Sequence, residues 1–301
     1  MLNRQSTRSG HRAAIYDLHP AGEGFYTAAA DGFLVHWHRE DVDFGRVVAN
    51  VEGGKFLCVT TIPDGLVAGA LDGGVHWLYP DAPERNRHVA HHQHGVFSVV
   101  RVGADLYTVG GDGVLTVWSV PTARRKESVP LSRNSLRRIV YDPVYDRLAI
   151  GASDGKVYLL ERSGLAPLAS TAAHAPSVFA LGFSPDGEYL FSGGRDAGLS
   201  RWSVLDGQLK REQTVVAHLM TVNALAVHPE GHYLATASRD KTVKLWRTSD
   251  LSLCKVIEVV RDKGHVNSVN TLTWLDGNTL LTAGDDRRVL EWGFRVAGSR
   301  G

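Results

Sequence analysis

Five times along the chain a histidine, a hydroxyl residue and an aspartate recur at nearly constant spacing. The sets are His11, Thr27 and Asp31; His92, Thr108 and Asp112; His174, Ser192 and Asp196; His218, Thr236 and Asp240; and His265, Thr282 and Asp286. Each histidine stands 20 to 22 residues before its aspartate, and each hydroxyl four before it. These are the residue types of a hydrolytic triad, in which a base activates a hydroxyl and a carboxylate orients the base. A catalytic constellation occurs once per chain, at a cleft, whereas this one occurs five times at one structural position. Repetition of that kind marks a structural device, and no catalytic residue is expected. A tryptophan six residues after each aspartate completes the set: Trp37, Trp118, Trp202, Trp246 and Trp292. A buried carboxylate is costly unless it is hydrogen-bonded. Here Asp can accept from the imidazole, the imidazole can bond the hydroxyl, and the hydroxyl can engage the indole N–H.

Such a clasp needs elements that return to the same place every few dozen residues. Two weaker copies fill the gaps between the five. Asp72 leads to Trp77 with one residue fewer, and Asp154 leads to Leu160 without an indole. Unit 2 has Glu52 and Ala68, and unit 4 has Ser132 and Ile150, where the others carry His and hydroxyl. Those two units are expected to be less rigid. The closing positions 37, 77, 118, 160, 202, 246 and 292 are 40 to 46 residues apart. Within a unit the pattern is that of short strands. In unit 5, residues 178–184 alternate at period two, residues 185–187 (PDG) turn the chain, and residues 189–193, 199–202 and 209–216 give three more strands. No window carries a helical stripe. Four antiparallel strands every ~40 residues is the signature of a propeller blade. One blade cannot cover both faces of its sheet, so the blades must stack and close into a ring. The expected fold is all-β: one domain over residues 1–301, a seven-bladed β-propeller of four-stranded antiparallel blades.

Composition narrows the function classes. The 301 residues carry a formal net charge of +1, so no global field draws the chain to nucleic acid or an anionic membrane. Two cysteines, Cys58 and Cys254, make no disulfide framework and fit a reducing, cytoplasmic setting. No apolar stretch is long enough to span a bilayer, and the first ten residues have no secretory character. The stretch RHVAHHQH (87–94) is rich in histidine. His92 already belongs to the repeated set, and no Cys or carboxylate cluster stands at ligand spacing, so no metal and no cofactor are expected. The basic runs TARRKES (122–128) and SRNSLRR (132–138) read mainly as solvated edges. Trp274 lies outside the repeated set and reads as packing between blades.

Taken together, the repeated His, Ser/Thr, Asp and Trp over residues 10–292 resemble the WD40 repeat family. One departure is that no tryptophan is followed by Asp; His38, Leu78, Ser119, Ser203, Arg247 and Gly293 stand there. The resemblance implies that the N-terminal segment supplies the outer strand of blade 7, with residues 294–296 as the alternative. It also implies a non-enzymatic scaffold or adaptor that binds proteins through the narrow top face, where three positions per blade point upward. Those read as Tyr16, flanked by Ala14 and Ala30, in blade 1; Lys55, Leu57 and Leu71 in blade 2; and Phe97, between Gly95 and Gly111, in blade 3. Arg137 follows in blade 4, with Ser135 and Ser153; then Phe179 and Arg195 with Ser177, Asn223 and Arg239 with Thr221, and Asn270 and Asp285 with Ser268. An apolar sector on blades 1 to 3 is expected beside a cationic sector, Arg137, Arg195 and Arg239, on blades 4 to 6. The implied partner is a protein segment with an apolar anchor and an acidic or phosphorylated group, bound by a monomeric ring within a larger complex. Membrane and nucleic-acid partners are not expected. Recognition of a phosphorylated, ubiquitin-like or nucleic-acid ligand stands as a second function class, and an enzyme opening on the channel as a third.

Overall fold

A computed structural model of the protein describes residues 2–295. It contains seven four-stranded antiparallel sheets. Blade 1 runs Ile15–Ala21, Gly24–Ala29, Phe33–His38 and Gly45–Asn50 from the inside outward. The inner strands of blades 2 to 7 are Phe56–Ile62, Val96–Val102, Leu136–Asp142, Val178–Phe183, Val222–Val227 and Val269–Asp276. Each touches the next, and Val269–Asp276 touches Ile15–Ala21, so the ring closes. Among the described residues, helix is limited to Val259–Asp262 and two single 3-10 turns.

Burial explains why closure is necessary. Each of the seven apolar clusters among the described residues lies between two neighbouring blades. Phe25, Val35 and Trp37 of blade 1 pack on Leu281, Ala283 and Val289 of blade 7, for example. Trp274 packs between blades 6 and 7, and its indole N–H donates to the Ala226 carbonyl at 3.2 Å. Tight turns connect the strands where the sequence places them. In blade 5 the Gly187 N–H closes on the Ser184 carbonyl at 2.9 Å, and Gly187 takes a φ of 72° that a side chain would strain.

The N-terminal segment forms the fourth strand of blade 7. Leu2–Ser9 pairs antiparallel with Arg288–Phe294, from Leu2 opposite Phe294 to Ser9 opposite Arg288. Phe294 belongs to the third strand and so cannot supply the fourth; position 296 lies outside the described residues. Arg8 secures the seam. It is buried, donates to Glu291 Oε2 at 2.6 Å and reaches the Arg39 carbonyl of blade 1 at 3.0 Å.

Blade 2 corrects the spacing argument. Its turn has lost no residue: Leu66 stands opposite Leu78, as Leu106 stands opposite Trp118 in blade 3. Leu78 therefore fills the indole position, at the interface with blade 1. Trp77 lies on the other face of the strand, packed with Trp118 between blades 2 and 3. Successive residues of a strand face opposite sides, so an offset of five rather than six moves a side chain to the wrong face.

Candidate functional site

The repeated clasp forms in all five blades that carry its residues. In blade 1, His11 Nδ1 lies 2.9 Å from Asp31 Oδ2, His11 Nε2 lies 2.7 Å from Thr27 Oγ1, and the Trp37 indole N–H donates to Thr27 Oγ1 at 3.0 Å. Blade 5 repeats this through His174, Asp196, Ser192 and Trp202 at 2.9, 2.8 and 2.8 Å. Blades 3, 6 and 7 do the same with His92, His218 and His265. The indole can only donate, so the hydroxyl oxygen accepts from it, and a hydroxyl proton on Nε2 with Nδ1–H on the carboxylate completes the set; in blades 1 and 7 the hydroxyl also reaches the Val35 and Leu290 carbonyls at 3.4 and 3.5 Å. A neutral imidazole satisfies all four groups. Burial lowers the pKa of His174, partly opposed by Asp196, which favours that neutral form. All five clasp hydroxyls are fully buried beneath their indoles.

Blade 4 secures its turn differently. Asp154 accepts from Ser132 Oγ at 2.8 Å and from the Tyr158 hydroxyl at 2.6 Å. On the other side of the ring the buried Arg147 grips Asp142 at 2.7 Å and bonds the Val204 and Gly187 carbonyls of blade 5. Ser132 stands at the repeated histidine position and bonds the turn aspartate in its place, whereas Tyr158, Asp142 and Arg147 lie outside the repeated set.

The other shared feature is at the mouth of the central channel. Every inner strand carries a β-bulge one residue after its start: between Ile15 and Asp17, Phe56 and Cys58, Val96 and Ser98, Leu136 and Arg138, Val178 and Ala180, Val222 and Ala224, and Val269 and Thr271. The residue inside each bulge is left out of the ladder and re-aimed. Those seven residues are Tyr16, Leu57, Phe97, Arg137, Phe179, Asn223 and Asn270, and all seven line one cavity of about 370 Å³ with Leu71, Arg138, Ala224 and Thr271. The bulge is thus the local device that turns one side chain per blade inward. A backbone bond fixes the frame around it. In blade 1 the Ala30 N–H donates to the Ala14 carbonyl, and each other blade has the equivalent bond.

The mouth is more mixed than separate apolar and cationic sectors. Arg137 is half-buried, with Cζ 4.3 Å from the Phe97 ring centroid and 5.6 Å from that of Phe179, and its Nε donates to Ser153 Oγ at 2.7 Å. Burial lowers its pKa, but a guanidinium remains charged. Arg195 and Arg239 are exposed and lie outside the cavity lining, as do Lys55 and Asp285. Asn223 Nδ2 donates to the Val269 carbonyl at 2.9 Å, and Asn270 Nδ2 donates to the Ile15 carbonyl and to Asp285 Oδ1. These amides tie blade 6 to 7 and blade 7 to 1. Arg137–Ser153 and Asn270–Asp285 pair within one blade, whereas the ring contacts of Arg137 and the amide bonds to Val269 and Ile15 cross between blades, where sequence spacing does not show them.

One constellation escaped the sequence reading altogether. Asp72, His76 and His88 each bring a ligand-type atom within 4.8 Å of the other two. His88 comes from the histidine-rich stretch, and its carboxylate partner lies 16 residues upstream, on the far side of a hairpin.

The comparisons with known proteins agree with this geometry. The family model for the WD domain, G-beta repeat, matches residues 3–38, 165–203, 209–247 and 257–292. The first match begins in the strand that closes blade 7 and runs through the third strand of blade 1, so it straddles the seam. The chain is similar to WD repeat-containing protein 90 of Xenopus tropicalis, with 25% identity over 195 residues, covering 63% of this chain and 10% of that protein. The human protein of the same name is 25% identical over 210 residues, covering 68% of this chain and 12% of its own length. Denticleless protein homolog A of Xenopus laevis is 31% identical over 112 residues, 32% of this chain and 16% of that one. The chain thus spans about a tenth of the length of the first two relatives. With seven closed blades, five complete clasps and four matched repeats, the chain belongs to the WD40 repeat family.

Proposed function

We propose that this ring is a non-enzymatic scaffold whose bulge-lined mouth takes a protein segment bearing an apolar anchor and an acidic or phosphorylated group. The observation that carries the reading is the convergence of Tyr16, Leu57, Phe97 and Phe179 on one cavity around the guanidinium of Arg137, with Arg138 also in the lining. Aromatic and arginine side chains dominate binding hot spots when they are central and desolvated. Arg195 and Arg239 stand outside the cavity with no side-chain hydrogen bond or ion pair among the described residues, so they are available to an anionic flank of the same segment. The ring acts in this reading as one protomer of a larger cytoplasmic assembly. The test is fluorescence anisotropy with peptides that pair one leucine or aromatic anchor with glutamate or phosphoserine. Alanine at positions 137, 195 and 239 abolishes binding and leaves the melting temperature within ~2 °C, the usual range for surface changes. Unchanged binding refutes the proposal.

A further inference from the structure

We infer that blade 2 carries a divalent transition-metal site built from Asp72, His76 and His88. The three residues each place one ligand-type atom within 4.8 Å of the other two. His76 is 7% exposed, and its Nε2 is buried without a hydrogen-bond partner. A buried polar atom left in that state costs free energy, and a metal ion removes that cost. His76 and His88 stand directly opposite on adjacent strands, with ring centroids 4.5 Å apart, and make no hydrogen bond to each other. The equivalent positions of blades 3 and 5 are hydroxyl pairs that satisfy themselves: Thr116 with Ser128 at 3.1 Å, and Ser200 with Thr214 at 2.8 Å. Blade 2 has two imidazoles there.

The carboxylate is also free for a new task. In five blades the turn aspartate is engaged by a clasp histidine, whereas blade 2 has none. Among the described residues, Asp72 keeps one bond, Oδ1 to the Gly74 N–H at 2.8 Å. Gly74 makes room for the convergence. A Cβ there would lie 2.3 Å from His88 Nε2 and 3.0 Å from Asp72 Oδ1, so these two atoms converge over the glycine. Asp72 and His88 are exposed and can close to the ~2.0–2.2 Å ligand distances of zinc, while buried His76 is the fixed point. Two imidazoles and one carboxylate suit zinc, nickel or copper rather than calcium or magnesium. Three protein ligands leave a fourth position for water or for a side chain of another molecule.

The experiment uses the full chain without an affinity tag. Titration with Co²⁺ is followed by its visible ligand-field absorption, and Zn²⁺ is then used to displace it. The expected result is one ion per chain, with affinity falling at least ~10-fold, the effect of removing even an outer-shell partner, in His88→Ala and in Asp72→Asn. Both positions are exposed, so neither variant should change the melting temperature without metal. Gly74→Ala is a second, steric probe: it displaces His88 without removing a ligand and should also weaken binding. Absence of saturable binding at one equivalent, or equal binding in His88→Ala and the parent chain, overturns the site.

Discussion

The guanidinium carbon of Arg137 stands 4.3 Å from the centre of the Phe97 ring, so a cation from blade 4 is held over an aromatic from blade 3. Both are bulge residues, and the stacking fixes the direction in which the charge is presented. Arg137→Lys keeps the charge but loses the planar fork and the Ser153 bond. It should therefore weaken binding of an acidic or phosphorylated peptide about tenfold or more, since charge-assisted bonds are worth ~1.5–3 kcal/mol. Isothermal titration calorimetry reads this directly. Full retention of affinity in the lysine variant would show that the planar, stacked geometry contributes nothing.

The clasp hydroxyls can be tested without changing side-chain shape. Thr108 bonds His92 Nε2 at 2.8 Å and accepts the Trp118 N–H at 2.9 Å, and it is fully buried. Thr108→Val keeps the volume and strands both partners. The expected loss is about 1–3 kcal/mol for each stranded group, seen as a lower urea midpoint at unchanged m-value.

The seam of the ring depends on Arg8 and Glu291, which pair at 2.6 Å with side chains 1% and 11% exposed. Glu291→Ala leaves a buried guanidinium without its counter-charge and should cost about 3–5 kcal/mol. Arg8→Met fills the same space without charge and should cost less. Denaturant midpoints of the two variants, compared side by side, check the order; the reverse order would contradict the account of the seam.

Stability should fall on mild acidification. Burial lowers the pKa of His11, His92 and His174 from the ordinary 6.5, although the paired carboxylates oppose it. Burial also takes His19 to about 4, with help from Arg101. Between those lowered values and 6.5 the unfolded chain binds more protons than the folded one, so stability rises with pH in that interval. The contribution is complete above about pH 6.5 and is lost as pH falls below it. A second loss follows at lower pH. Burial raises the Asp286 carboxyl, but His265 and Arg288 outweigh that and hold it at about 2. Its stabilisation is complete above the ordinary 3.8 and disappears as the pH approaches 2. Urea midpoints measured from pH 8 to 5 should stay level to about 7 and then decline.

How much was legible in the sequence depends on where each partner lies in the chain. The clasp was readable because its members fall at constant offsets, and a constant offset in a repeated sheet means a constant position. Blade closure by the N-terminal strand followed from the family resemblance, with residues 294–296 as the alternative, and the pairing of Leu2–Ser9 with Arg288–Phe294 decides for the former. Trp77 was misplaced because counting residues ignores which face an odd offset reaches; Leu78, one residue on, was the true equivalent of Trp118. The partners of Arg147, Asn223 and Asn270 were hidden because they lie on neighbouring blades. The Asp72, His76 and His88 cluster was hidden because spacing rules for metal ligands describe one turn or one helix, while here a cross-strand register brings His88 to His76.

The central claim is that the His–hydroxyl–Asp–Trp set holds the strands of each blade together. Thermal unfolding of His174→Ala tests it most directly. Removing that imidazole opens a buried gap and takes one partner each from Asp196 and Ser192, which keep the Gly198 and Ala175 N–H groups and the Trp202 indole N–H, and the melting temperature should drop by roughly 3–5 °C, the equivalent of ~2–3 kcal/mol for a chain of this size. An unchanged melting temperature would contradict the claim.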